Sequence, residues 1–467
     1  MRNFWIGCAV IAICRLLASW ILPTYDDAFI TYRYAINLVA GHGLVYNIGE
    51  RVMGSTAPLF ALISSIPAFI HISIPKFFVF FNICCDLCSL YIVYKFLLKD
   101  NASAFLLMVC FFAVDPMINR ISIGGMEADL FLLLSLSGIA LYFTNRKLYA
   151  FLLLPVLYFL RPEAVILLFI LHCFDLYVTR KLPILYGIIA IFILGLPIFF
   201  IYSYYGQALS QSVVAKSTMG RETIPHLIRN IFFPDPLFIA FVPLAIYGYF
   251  QQFKKSRFAF VAGLWAFSYS AAYLIRGPYV WSWYSFSIQF VILLFAAIGT
   301  SLLIQKFLPA FAKADKRFAY LLLLPLAVWV VVFIYKGRSG VEAHVYSELE
   351  KDFGNDSTMK NKTIFADDIG AIGYFSHANI YDDVGLVSPI ALKSKTIAEK
   401  MKKSNADFIF IYSDPFFINF IKKDSVLTKK YSFYKRYSIN GEMQEPEDNP
   451  NAIKKNYLQD YSIFKKN

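Results

Sequence analysis

Apolar runs close to the length of a membrane crossing recur from the first residues to about residue 335. The hydrocarbon core of a bilayer takes roughly 20 helical residues to cross, and it holds no water to satisfy an open backbone. A chain patterned this way folds as helices. Composition agrees, with 58% of residues apolar and 16% charged, where a soluble domain carries about 25% charged residues. The predicted spans lie near 4–22, 76–98, 102–118, 128–144, 148–160, 164–178, 182–204, 236–250, 258–275, 283–305 and 318–335. The first run follows a lone Arg2 and ends at Pro23-Thr24-Tyr25 with no small-residue cleavage pattern, so it reads as a span and not as a signal peptide.

A net charge of +13 raises the question of a nucleic-acid partner, and the placement of the charge answers it. With the N-terminus inside, the cytoplasmic turns hold Lys95 and Lys99, Arg146 and Lys147, Arg180 and Lys181, Lys254, Lys255 and Arg257, and Lys306, Lys313, Lys316 and Arg317. Each turn assigned to the cytoplasm is basic, as the positive-inside rule requires, and no nucleic acid is needed to explain the excess. About 11 spans then leave the tail outside the cytoplasm. All seven cysteines fall in apolar spans, so no disulfide framework is expected.

The expected organisation is a transmembrane domain, 1–335, and a soluble extracytoplasmic domain, 336–467. Within the first lie a polar loop at 23–57 and a second long outer loop at 205–235. The tail reads as a small α/β unit: strands at 362–366 and 406–412, a helix at 397–403, and a polar, loose stretch at 441–455. The segment 58–74 opens with a helix-start signal but lacks a basic cluster at its far end. It is expected to lie at the outer interface without crossing. Asp86, in mid-span, is expected to pair with a neighbouring helix.

The loop at 23–57 carries the most chemistry. Asp26 and Asp27 open a predicted helix, where carboxylates suit the positive end of the dipole. Asp26, Arg33 and Asn37 are spaced by seven and four residues and share one face of that helix. Carboxylate, cation and amide on one face form either a site or a helix cap with a solvated flank, and spacing leaves both readings open. Other candidate phosphate ligands are Lys216, in the second loop, and Arg276, which ends a span before the aromatic run Tyr279-Val280-Trp281-Ser282-Trp283-Tyr284.

The pattern DDAFITYRYAxNLxxGxGLVYNxGERVxGxTxPL from Asp26 onward resembles the first extracytoplasmic loop of the GT-C superfamily, glycosyltransferases that use polyprenyl-phosphate sugars. It is most similar to bacterial members of the cell-wall arabinofuranosyltransferase type, and more distantly to protein O-mannosyltransferases and the aminoarabinose transferase of lipid A. Gly124-Gly125-Met126-Glu127, Arg161-Pro162-Glu163, Asp368-Ile369-Gly370-Ala371-Ile372-Gly373-Tyr374 and Asp383-Val384-Gly385-Leu386 resemble further motifs of that superfamily, in order along the chain. Gly124 and Ala164 depart from it, where Ser and Gly are usual.

The resemblance implies a GT-C-like helical bundle with Asp26 as general base, Asp27 as a second acid, and Glu127 as a further acidic participant beside the substrate ligands Arg33, Asn37, Lys216 and Arg276. It implies transfer of a monosaccharide from a polyprenyl-phosphate carrier to a glycan, lipid or protein acceptor on the outer face of a bacterial inner membrane. No phosphate-binding glycine loop for a soluble nucleotide is present, which agrees with a lipid-borne donor. The sequence names no certain cofactor and leaves metal dependence open: Asp26, Asp27 and Glu127 are oxygen donors of the kind Mg²⁺ takes. There are two rival readings: a ligase or polymerase using a lipid-diphosphate donor, which shares the outward polarity, and, from a different class, a transporter without chemistry. The second predicts inverted repeats, and none is visible.

Overall fold

A computed structural model describes residues 2–218, 220–308, 322–336, 341–354, 357–412, 418, 421–437 and 461–467. The chain divides into two compact units. A helical unit takes Met1–Ile21, Pro75–Phe200 and Gly220–Gly337; a second unit takes Leu22–Ile74, Ile201–Met219 and Arg338–Asn467.

In the helical unit the predicted spans fall on helices, with one of them broken in two, and the first residues of the span expected at 318–335 lie outside the described residues. Among the described residues, five helices are long and apolar enough to cross a membrane: Arg2–Ile21, Ile74–Leu98, Ile184–Tyr205, Arg257–Arg276 and Phe286–Phe307. The run expected at 102–118 as one span is instead two helices, Ala102–Val114 and Pro116–Ile123, bent by 71°. Pro116 has no N–H to continue the first helix, and Asp115 Oδ1 accepts the Ile118 N–H at 2.8 Å to start the second. The remaining predicted spans are shorter helices, Ala128–Phe143, Lys147–Val156, Ala164–Thr179, Phe238–Gln252 and Leu323–Lys336.

Helix Phe286–Phe307 is apolar around most of its circumference and is the most buried of the five. Helix Phe238–Gln252 packs closely on it because glycines meet backbone: a Cβ at Gly248 would stand 2.0 Å from the Phe295 carbonyl oxygen, and one at Gly299 2.2 Å from that of Leu244. Asp86 has the helical partner expected for it. Arg15 Nε lies 2.9 Å from Asp86 Oδ2 with both side chains wholly buried, and the guanidinium stacks 4.6 Å from the Phe112 ring centre. The seven cysteines are all free.

The second unit is built on a five-stranded sheet of order β2-β1-β3-β5-β4, with β1 Thr363–Ala366, β2 Asn379–Asp382, β3 Phe408–Tyr412, β4 Tyr431–Tyr437 and β5 Tyr461–Lys466. β1 pairs in parallel with β2 and β3, while β5 runs antiparallel to β3 and β4. β1 and β3 are the two strands expected from the sequence, and Ile397–Ser404 is the expected helix. Phe365, Met401, Ile409, Ile411, Leu427 and Phe464 form its core. The stretch 441–455 lies outside the described residues. The loop after the first span joins this unit as helices Asp26–Val39 and Pro58–Phe69, which pack on each other.

Candidate active site

Helix Asp26–Val39 begins without a side-chain cap from Tyr25, so its first turn carries positive dipole that Asp26 and Asp27 complement. The Asp26 carboxylate turns outward from its own helix. Its Oδ2 accepts the Gly370 N–H and its Oδ1 the Ala371 N–H, each at 2.7 Å. Asp26 thus caps helix Gly370–Ser376, 344 residues further along the chain. Burial pushes its carboxyl well above the usual carboxylate range, the charge of Asp368 adds to this, and the Ala371 N–H opposes it.

Arg33 and Asn37 share the face with Asp26, as the spacing predicts, and that face meets protein. The buried Arg33 guanidinium donates to the carbonyls of Tyr46 at 2.7 Å and Ala378 at 2.5 Å, and to that of Gly373. It also lies 4.5 Å from the Tyr46 ring centre. Asn37 Nδ2 donates to the carbonyls of Val45 and Tyr46, both at 2.9 Å. These are the contacts of positioning residues: they fold the loop and hold the tail's glycine-rich turn against it.

The tail motif Asp368–Tyr374 is explained by the same geometry. A Cβ at Gly370 would stand 1.8 Å from the Asp26 carbonyl oxygen, and one at Gly373 1.9 Å from the Tyr46 hydroxyl. The Tyr46 hydroxyl in turn donates to the Ile369 carbonyl at 2.5 Å. Asn47, which sequence reasoning did not single out, extends the edge of β2: its Nδ2 donates to the Ile380 carbonyl and its Oδ1 accepts the Ile380 N–H, both at 2.9 Å. A polar residue followed within two positions by a turn glycine is the only sequence sign of it.

Asp27 faces a different partner. Burial raises its carboxyl and the Lys216 ammonium opposes the rise. Lys216 sits on helix Gln211–Thr218, which the second loop places beside the first: the Gln211 N–H donates to the Met53 carbonyl at 2.7 Å, and Ser212 Oγ donates to the Gly54 carbonyl. Two residues predicted from separate loops are therefore near enough for the charge of one to act on the other. The carboxyl end of β1 adds Asp367 and Asp368, the latter accepting the Tyr412 hydroxyl and, at 2.6 Å, the Tyr461 hydroxyl. Among the described residues no group of three His, Cys, Asp or Glu side chains is arranged to hold a metal ion.

Glu127 and Arg276 belong to the helical unit. Glu127 Oε1 lies 3.3 Å from Arg161 Nε, both nearly buried, and Arg161 Nη1 donates to the Trp283 carbonyl at 2.9 Å. Arg161 pairs with Glu127 and not with Glu163, whose Oε1 accepts the Tyr273 hydroxyl at 2.5 Å. This ties the Gly124–Glu127 and Arg161–Glu163 motifs to the aromatic run. Arg276 is exposed at the end of its helix and makes no ion pair among the described residues.

The architecture has solved relatives. ArnT from Cupriavidus metallidurans bound to undecaprenyl phosphate aligns over 98% of this chain and 97% of that one, with a TM-score of 0.62 and 8% sequence identity. The apo form of the same protein aligns over the same shares at a TM-score of 0.63 and 8% identity. The fold is therefore that of ArnT, mostly helical with several apolar helices and a small C-terminal sheet domain. Within the tail, residues 342–461 match a family described as a domain of unknown function, DUF8728. No curated protein matches the chain.

Proposed function

We propose that this chain is a GT-C membrane glycosyltransferase that moves a monosaccharide from a polyprenyl-phosphate carrier to a glycan, lipid or protein acceptor at the outer face of a bacterial inner membrane. The observation that carries the reading is the convergence of the two outer loops: helix Gln211–Thr218, which bears Lys216, is hydrogen-bonded to the first loop at Met53 and Gly54, and the Lys216 charge opposes the rise that burial imposes on Asp27. A general base works best with its pKa drawn toward the working pH, and a leaving phosphate needs a fixed cation. The undecaprenyl phosphate bound to ArnT, a protein of the same fold, supports a lipid-phosphate donor. The motif resemblance to arabinofuranosyltransferases supports a sugar transfer but leaves the sugar open.

In the proposed step an acceptor hydroxyl oxygen attacks the anomeric carbon while Asp27 takes its proton. The carbon–oxygen bond to the carrier breaks, its electron pair stays on the lipid phosphate, and Lys216 holds the new charge. The configuration at the sugar inverts. The sequence pointed to Asp26 as base; because both Asp26 oxygens are occupied by backbone N–H groups, we assign the base to Asp27 and give Asp26, Arg33 and Asn37 the task of positioning. Glu127 serves by holding Arg161, and Arg276 is a second cation available to a phosphate. The basic clusters support a cytoplasmic N-terminus and a tail outside.

The test is donor turnover by purified protein given labelled polyprenyl-phosphate monosaccharides and an envelope extract. Transfer from one such donor, abolished in Asp27→Asn, is expected. Transfer only from a lipid-diphosphate donor would replace this reading with that of a ligase.

A further inference from the structure

The aromatic run after Arg276 has no part in the proposed transfer step. Helix Arg257–Arg276 ends at Gly277, which takes the left-handed conformation (φ 66°) and closes the last turn with its N–H on the Tyr273 carbonyl. The chain then lies along helix Ile224–Phe232: the Gly277 carbonyl accepts the Glu222 N–H at 2.9 Å and the Val280 carbonyl accepts Asn230 Nδ2 at 3.1 Å. Between the two segments opens a cleft of about 400 Å³ lined by Glu222, His226, Asn230, Tyr279 and Trp281 among others.

Its floor and walls differ in chemistry. The Trp281 ring is parallel to that of Trp283, with centres 5.7 Å apart and planes 5° apart. Trp283 is 8% exposed and Trp281 55% exposed, so one face of Trp281 is backed by a buried ring and the other is open. In the same lining, Glu222 Oε2 lies 2.9 Å from His226 Nδ1 and Glu222 Oε1 accepts the Thr223 N–H at 2.9 Å, which fixes the carboxylate while each oxygen keeps a second lone pair for a hydroxyl donor. Asn230 Nδ2 is taken by the Val280 carbonyl, and its amide oxygen stays available as an acceptor.

A rigid flat apolar plate facing a carboxylate, an imidazole and an amide suits a ligand with one apolar face and a polar rim. We infer that this cleft binds a sugar ring, its C–H face on Trp281 and its hydroxyls toward Glu222, His226 and Asn230. A polyprenyl chain would cover the three polar side chains and offer them no hydrogen bond in place of water, and a lipid phosphate would meet the Glu222 carboxylate with like charge. The ring belongs either to the donor or to the acceptor of the transfer proposed above, and to that extent the inference rests on that reading.

Binding is tested apart from turnover. Full-length protein in detergent is mixed with a panel of methyl glycosides, and saturation transferred from protein to ligand protons is recorded by NMR. At least one glycoside is expected to receive saturation on one ring face, with the signal lost in Trp281→Ala, weakened about tenfold in affinity in Glu222→Gln, and unchanged in Trp5→Ala. No signal with any glycoside, or a signal that survives Trp281→Ala in folded protein, overturns the inference. So does displacement of the glycoside by undecaprenyl phosphate in Asp27→Asn and Lys216→Met protein, which would make the cleft a carrier site. Where turnover is measurable, Trp281→Ala raises KM for the acceptor or for the donor with kcat kept, and the substrate affected names the source of the ring. Glycoside binding without turnover would leave the cleft standing and remove the transferase reading.

Discussion

Gly370 lies so close to Asp26 that a single methyl group at Gly370 would stand 1.8 Å from the Asp26 carbonyl oxygen. The approach lets the Gly370 N–H reach the Asp26 carboxylate at 2.7 Å. An acid in the first loop and a glycine in the tail are thus one structural device. Gly370→Ala is expected to undock helix Gly370–Ser376 and to expose the tail to limited proteolysis, with activity lost alongside. Gly187→Ala, at a helical glycine with open space around it, is the matched control and should be neutral or stabilising by up to about 1 kcal/mol.

The two adjacent aspartates should separate in their effects. Asp27→Asn is expected to lower turnover by about 10²–10⁴-fold with little change in thermal stability, since it removes a base. Asp26→Asn leaves one acceptor oxygen for two N–H donors, so it should destabilise by about 1–2 kcal/mol and reduce turnover less. Thermal melts and single-turnover rates on the same preparations decide it. Equal losses in both variants would return the base to Asp26.

The rate should fall as pH falls through the Asp27 pKa, because only the carboxylate accepts a proton. Burial raises that pKa, so the acid limb lies above the range of an ordinary carboxyl. Lys216 holds the rise in check. Lys216→Met is therefore expected to move the acid limb to higher pH and to raise KM for the donor. A pH profile of kcat/KM for the two proteins measures both.

His377 has a left-handed backbone (φ 54°), and burial, with Arg33 and Lys360 adding to it, pushes its imidazole down to about 4. The unfolded residue titrates near 6.5, so between those values the unfolded chain binds more protons and stability is lost as pH falls. His377→Asn keeps a residue that tolerates this backbone and removes the titration. The variant's melting temperature relative to wild type should rise by a few degrees between pH 7 and pH 4. A constant difference across that range would mean that His377 does not titrate in this way.

Arg15→Leu strips Asp86 of its buried partner and should cost about 3–5 kcal/mol, whereas Arg15→Leu with Asp86→Leu should recover most of the loss. Denaturation of the three proteins in the same detergent tests this double-mutant cycle.

Sequence alone determined where the apolar helices of the first unit lie, because apolar runs of spanning length are local features whose energetics do not depend on which neighbours are present, but it missed the break at Pro116. It also determined β1, β3 and the tail's central helix, and it marked the two aspartates and Lys216 as residues of interest. It could not say that Arg33 and Asn37 hold protein carbonyls, that Glu127 pairs with Arg161, or that Asp26 is a cap while the Lys216 charge acts on Asp27. Those assignments depend on which groups meet across separations of tens to hundreds of residues, and helical spacing reports the face a side chain occupies, never what that face meets. The strands β2, β4 and β5 went unread for the same reason: they are short, and their hydrogen-bond partners come from distant segments, so the sheet exists only once the chain has folded.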